Sequence, residues 1–413
     1  MKKLTLGVFG ANRGNDIFES IMYNDVEIVA ICDKDRKLLE KAREKIKDIA
    51  LYEDFDEFIN HGFDAVYIAN YFSEHAPYTV KALKKNIHVI CECIPAATMV
   101  ECVELVRAAE QSNAIYMVAE NYPYMVFNQE MQRVYKGGTL GKILFGEGEY
   151  NHPVSIDNKG FISRYYDSAK HWRNFLPATY YLTHSLGPLM MATHSNPVRV
   201  TAMPVYSPKP ENAISASYVG DNAAIMTVLN DDNSVFRITG CSLFGARENS
   251  YRLACEKGQI ENVRGSGNKI MLTYNEWDIP KGKKASNYYT PHFSAEDEEI
   301  AGRTGHSGGD YFMFRDFFNC IRNNTAPYLD VYVAVTMSAV GILAHRSLMQ
   351  FGVPYDIPDF HKEEDRKKYE NDKDTPFWGS DGSAPTIPCC SHPDYKPTAE
   401  MIERFEKVSK TDW

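Results

Sequence analysis

Short apolar runs alternate with stretches of helical period over the first 120 positions. Residues 4–9 (LTLGVF), 26–32 (VEIVAIC), 63–69 (FDAVYIA), the pair Val89-Ile90 and residues 114–119 read as buried strands. Between them, Ile17, Ile21 and Met22 share a helical face, and residues 35–46, 76–84 and 101–111 read as helices. Strands alternating with helices in this way predict an α/β domain built on a doubly wound parallel sheet.

Past about residue 121 the pattern changes. Residues 131–135 look helical and Gly137-Gly138 ends them. Residues 143–150 then alternate, with Phe145, Glu147 and Glu149 on one side and Leu144, Gly146, Gly148 and Tyr150 on the other, which predicts a one-sided sheet. Strands at 198–205, 223–229 and 234–239 and a hairpin over 251–261 extend it into an α+β domain with a large, mostly antiparallel open sheet. Residues 159–179 carry no period and predict a long loop over a site, because structureless loops of that length are usually functional. Helices are predicted from residue 179 to 188, at 311–323 and at 332–349. The division is 1–121, 122–360 and a charged, turn-rich arm, 361–413, packed on the body or on a neighbouring subunit.

Composition narrows the class. The chain has 413 residues, 44% of them hydrophobic, enough for two cores. A net charge of -10 suits a protein that meets small ligands and argues against nucleic acid or an anionic membrane surface. No segment reads as a membrane span, and MKKLTLGVFGA reads as a first strand and not as a signal peptide. Nine scattered cysteines suit reduced thiols in a cytoplasmic chain. Cys389, Cys390 and His392 lack the usual zinc spacing, so no metal is expected.

The candidate chemistry collects at strand ends. Gly10, Ala11, Asn12, Arg13 and Gly14 form a tight turn into a helix, the arrangement that offers backbone N–H groups to a pyrophosphate. Asp33 ends the second strand, where a carboxylate binds the adenine ribose hydroxyls and repels a 2′-phosphate, favouring NAD. Asn70, His75 and Asn121 follow later strands and are expected at the same crevice. Glu92, in HVICECIPAAT, runs out of a buried strand into it. Tyr122 and Tyr124 stand at the domain crossover, His152 ends a strand, and His306 sits in a flexible turn. Trp172 and Arg173 lie in the predicted loop, as a stacking face and an anion contact. Tyr181 and His184, three apart on the predicted helix, pair a phenol with an imidazole.

The Gly-rich turn, Asp33, DAVYIA with His75 and HVICE resemble the Gfo/Idh/MocA oxidoreductases. That resemblance implies an NAD-binding Rossmann domain, a substrate and oligomerisation domain, and a homodimer or homotetramer. The family's Glu-Lys-Pro lysine is absent: Cys93 stands in its place without a gap, or Ile94 with one. The Tyr181-x-x-His184 pair followed by Gly187-Pro188, with Glu92 and Tyr122, is similar to a narrower branch, the NAD-dependent glycosidases of glycoside hydrolase family 109. This implies a glycoside substrate, transient oxidation at C3, elimination, water addition and re-reduction. Tyr181 would be the base, polarised by His184, with Glu92 and Tyr122 handling sugar hydroxyls and Tyr124, His152 and His306 lining the sugar site. The alternatives are a sugar or cyclitol dehydrogenase and a non-catalytic sugar-sensing protein.

Overall fold

The computed structural model describes residues 3–411. Its first sheet contains β1 (Leu4–Phe9), β2 (Val26–Cys32), β3 (Ala50–Tyr52), β4 (Ala65–Ile68), β5 (His88–Cys91) and β6 (Tyr116–Val118). All are parallel, in the order β3-β2-β1-β4-β5-β6. This is the doubly wound order expected of strands that are buried on both faces. β3 and the short helix Phe55–Phe58 escaped the sequence reading, since a half-buried three-residue strand leaves almost no pattern.

The second sheet takes β7 (Ile143–Asn151), β8 (Pro197–Tyr206), β9 (Asp221–Asn230), β10 (Val235–Ser242), β11 (Glu248–Cys255), β12 (Gly258–Asn262), β13 (Ile270–Tyr274), β14 (Ser286–Tyr289) and β15 (Tyr355–Asp356). Their order is β14-β13-β12-β11-β7-β10-β9-β8-β15, and β7 and β10 alone pair in parallel. The predicted alternation in β7 has a steric cause. The Thr183–Thr193 helix crosses so closely that a Cβ at Gly148 would come 2.1 Å from the Ser185 carbonyl oxygen. On the other face Glu147 and Glu149 pair with Arg237, Arg252 and Arg264.

Three expectations change. Residues 159–179 hold a helix, Lys159–Tyr165, capped by the Asn158 side chain, and a 3-10 turn, Trp172–Asn174. The helix expected from residue 179 begins at Thr183, so Tyr181 precedes it and does not share its face with His184. Val331–Met349 is in fact long and apolar enough to cross a membrane, but 78% of its apolar window is buried inside this fold, as befits a core helix.

The arm packs on its own body. Ser391 donates to Asp221 from its hydroxyl at 2.6 Å and from its N–H at 2.7 Å, and Arg346 holds Asp372. The Cys389 and Cys390 thiols donate to the carbonyls of Tyr218 and His392, while the His392 ring stacks 3.6 Å from Tyr206. These residues pin the arm to the sheet.

Candidate active site

β1 leads into the Ala11–Met22 helix through Gly10, at φ 103°, where a Cβ would meet the Ala69 carbonyl oxygen at 2.1 Å. Only glycine fits both constraints. The helix start opens on a cleft of about 570 Å³ that runs from Gly10, Asn12 and Asp33 past Asn70 and Glu92 to Tyr181 and His184.

The turn is more committed than its sequence suggests. Asp33 accepts the Ala11 N–H at 2.7 Å and the Asp35 N–H at 2.9 Å, so Ala11, buried itself, gives its amide to the carboxylate. Burial pushes the Asp33 carboxyl up against the pull of those amides. Asn12 donates to the Arg164 carbonyl at 3.1 Å and ties the 159–165 helix to the turn. Asn70 keeps a buried Oδ1 with no partner among the described residues. A helix N-terminus, a carboxylate at the ribose position and an orphaned amide oxygen along one cleft fit an adenine dinucleotide.

Arg13, expected among the cofactor contacts, lines the cleft and is tied to two carboxylates. Its guanidinium donates to Glu92 at 3.0 Å and to Asp310 at 2.7 Å, tying the first domain to the second. Asp310, itself 1% exposed, also accepts from Asn121 at 2.7 Å and from His306 at 3.0 Å. Burial pushes the Asp310 carboxyl up, but Arg13 and His306 outweigh it and hold it far below the usual range. Glu92 also takes a hydrogen bond from Tyr67. His75, expected on the cofactor, is buried, with Nδ1 donating to the Ile94 carbonyl at 2.8 Å and Nε2 3.3 Å from that of Asn70. It braces the loop after β5, and burial lowers its pKa.

The centre of the site is a pair the sequence reading half missed. His184 Nδ1 lies 2.8 and 2.9 Å from the two oxygens of Glu120, a fully buried carboxylate that follows β6. Burial pushes Glu120 up, but His184, first, and the Tyr122 N–H help hold it below its ordinary value, so it stays ionised. A carboxylate only accepts, so Nδ1 carries a proton, and Nε2 has no hydrogen-bond partner among the described residues. Cys93 donates its thiol to the same carboxylate at 3.3 Å, whereas Ile94 packs in the core. Cys93 is therefore the residue that faces the site in the lysine's place.

Aromatic rings hold this imidazole. Tyr122 stacks on it at 4.0 Å, and Tyr150 and Tyr181 meet it edge-on at 4.9 and 5.0 Å. Tyr122, expected to touch substrate, is buried behind His184 and does not line the cleft. Tyr124 is a core residue too, since its hydroxyl donates to Asp316 at 2.6 Å. Tyr181 does line the cleft, and its hydroxyl has no partner among the described residues. Burial, then the nearby Cys93 and Glu92, push its pKa well above the usual phenol value, so it stands as a neutral phenol. His152 and His306 line the cleft as expected, and so do Trp172, stacked 4.8 Å from Phe72, and Arg173, 4.3 Å over the Trp172 ring. The strand-end rule that selected Glu92 applied equally to Glu120.

Comparison with known proteins agrees with this geometry. Residues 4–120 match the oxidoreductase family with an NAD-binding Rossmann fold, and residues 252–367 match the glycosyl hydrolase 109 C-terminal domain. A glycosyl hydrolase family 109 protein of Streptomyces filamentosus is 27% identical over 398 residues, covering 88% of this chain and 78% of its own. An α-N-acetylgalactosaminidase of Shewanella oneidensis is 25% identical, covering 87% and 85%. Among solved structures, levoglucosan dehydrogenase with NADH and L-sorbose shares the fold at a TM-score of 0.71 and 16% identity, covering 87% of this chain and 100% of that one. The chain is thus an NAD-dependent enzyme whose first 120 residues match an oxidoreductase-family NAD-binding Rossmann domain and whose second half matches the glycosyl hydrolase 109 C-terminal domain.

Proposed function

We propose that this protein is an NAD-dependent glycosidase, in which a glycoside is oxidised transiently at C3, cleaved by elimination, hydrated and re-reduced. The observation that carries the reading is the buried Glu120–His184 pair, which presents a free imidazole nitrogen beside the neutral phenol of Tyr181. NAD-dependent glycoside hydrolysis is a known exception to the two-carboxylate mechanism. The names of the relatives in Streptomyces and Shewanella support the same reading.

The residues at the crevice that would hold the cofactor are Gly10, Asn12, Asp33 and Asn70. When bound, NAD supplies reversible oxidation at the sugar's C3, which acidifies the neighbouring C2–H. His184 Nε2 is then the base for that proton, because Glu120 stabilises the imidazolium that forms. Tyr181, which keeps its proton at neutral pH, donates to the departing glycosidic oxygen. This exchanges the role the sequence alone assigns to Tyr181. Glu92, fixed by Arg13 and Tyr67, accepts from a sugar hydroxyl and sets the ring's height in the cleft. Water then adds to the unsaturated sugar: its oxygen bonds C1 while Tyr181 takes its proton, and the proton held on His184 returns to C2.

The test is aglycone release from aryl glycosides with NAD present, followed alongside NADH absorbance. Aglycone without net NADH is expected. Stoichiometric NADH would instead make the chain a sugar dehydrogenase, a reading favoured by the same dyad acting on the alcohol proton alone. Neither signal would leave a sugar-sensing protein.

A further inference from the structure

The substrate-facing rim of the second sheet concentrates positive charge in a chain whose net charge is -10. The loop after β8 carries Lys209, whose Nζ donates to the Asn222 side chain at 3.2 Å. The Asn222 carbonyl accepts from Leu243, and the Ser242 carbonyl from His152 at 2.8 Å. Lys209, Asn222, Leu243 and His152 therefore stand in a row across the neighbouring strand ends of β9, β10 and β7. Arg247 lies just before β11, the next strand along. Glu248 of β11 pairs with Asn151 of β7, so one step beyond that pair Arg247 stands across from His152, and burial first, then the charge of Arg247, lower the His152 pKa.

None of the cleft-wall carboxylates pairs with this rim among the described residues: Asp16 is held by Arg164 and Glu92 by Arg13, while Asp221 accepts from Ser391 and Asp33 from backbone amides. Neither Lys209 nor Arg247 has a carboxylate partner among the described residues. Lys209 is half-buried, and burial alone sets the downward direction of its pKa. A cation kept partly out of water without a counter-charge is a cost that a bound anion relieves. The cofactor's own phosphates are drawn to the Ala11–Met22 helix start, on the other domain.

We propose that Lys209, His152 and Arg247 form a subsite for an anionic substituent, a carboxylate or sulfate carried by the sugar substrate. The inference rests on the sugar-processing reading and specifies its substrate class. In that site the guanidinium and ammonium grip the anion, His152 adds a donor, and the opposite wall of Tyr181 and His184 meets the sugar ring.

The experiment uses the full chain with saturating NAD. Calorimetry compares glucuronate with glucose and galactose 6-sulfate with galactose, and aglycone release compares 4-nitrophenyl glucuronides with glucosides. The anionic member of each pair is expected to bind about tenfold tighter, an advantage that shrinks with added salt. Arg247→Gln and Lys209→Gln, each checked for an unchanged thermal melt, should bind the two members of a pair alike while NAD affinity stays at the wild-type value. Equal affinities in the wild-type chain, or a preference that survives in both variants, would overturn the proposal. A fall in NAD affinity in either variant would also overturn it, by assigning the rim to the cofactor. Preferential binding of the anion with no aglycone and no NADH would sink the glycosidase reading and leave the subsite standing.

Discussion

Glu92 and Glu120 leave the same edge of the same sheet, one just past β5 and the other just past its neighbour β6. Their partners make them different groups. Glu92 faces a permanent cation, Arg13, and a phenol, Tyr67, and is fixed as an acceptor across the two domains. Glu120 is sealed from water and faces an imidazole whose proton it fixes on one nitrogen. Position on the fold brings a carboxylate to the crevice, and the chemistry then follows from what the other domain sets against it.

The largest effect should come from separating these roles. Glu120→Gln keeps the shape but loses the charge that supports His184, so kcat should fall about 10²–10⁴-fold. Glu92→Gln keeps a neutral acceptor and should act mainly on KM. Rates of aglycone release at several glycoside concentrations measure both. Equal kcat losses in the two variants would erase the distinction.

Next in size is the bridge beneath Glu92. Arg13→Met leaves the buried Asp310 without its cation and should cost about 3–5 kcal/mol, read from urea unfolding. The sign with pH follows from Asp310. Its folded pKa lies below the unfolded one, so its stabilisation is present above about pH 4 and is lost as pH falls through the folded value. The wild-type chain should therefore lose more stability in acid than Arg13→Met does. Parallel acid limbs would show that Asp310 is held by something other than Arg13.

The tyrosines sharpen the comparison further. Tyr181→Phe should lower kcat about 10²-fold at nearly unchanged stability, since its hydroxyl makes no internal bond. Tyr124→Phe should cost about 1 kcal/mol through its lost bond to Asp316 and leave kcat alone. A kinetic defect in the Tyr124 variant would return that residue to the site.

These cases also mark what the sequence could tell. The six-stranded sheet was legible because buried parallel strands are written as apolar runs, and Asp33 and Glu92 because each ends or follows such a strand, whereas Tyr181 and His184 stood out as a phenol three residues from an imidazole. The Arg13 bridge was not legible because its partners, Glu92 and Asp310, stand 79 and 297 residues away. Tyr122 and Tyr124 look alike in sequence, and only packing sends one behind His184 and the other to Asp316. The start of the Thr183–Thr193 helix was misread because Tyr180, fully buried before it, mimics a helical core position.

A third carboxylate supplies the smallest and cleanest control. Glu101 caps the helix that follows β5, accepting the Ala97 and Thr98 N–H groups at 2.7 and 3.0 Å, and it forms no ion pair among the described residues. Burial pushes its pKa up to about 7, against the amides that lower it. A raised carboxyl favours the protonated folded state, so its contribution is full below the unfolded pKa of about 4.5 and is lost as pH rises through about 7. After allowance for solvent at this half-buried site, the loss is on the order of 1 kcal/mol. Glu101→Gln keeps the cap but cannot ionise, so the variant should match the wild-type chain at pH 5 and exceed it by that amount at pH 8, by urea midpoints. If the wild-type chain held its stability across that range as well as the variant, amides alone would suffice to keep a buried carboxylate charged in this fold, and the ionised state of Glu120 would need no His184 to explain it.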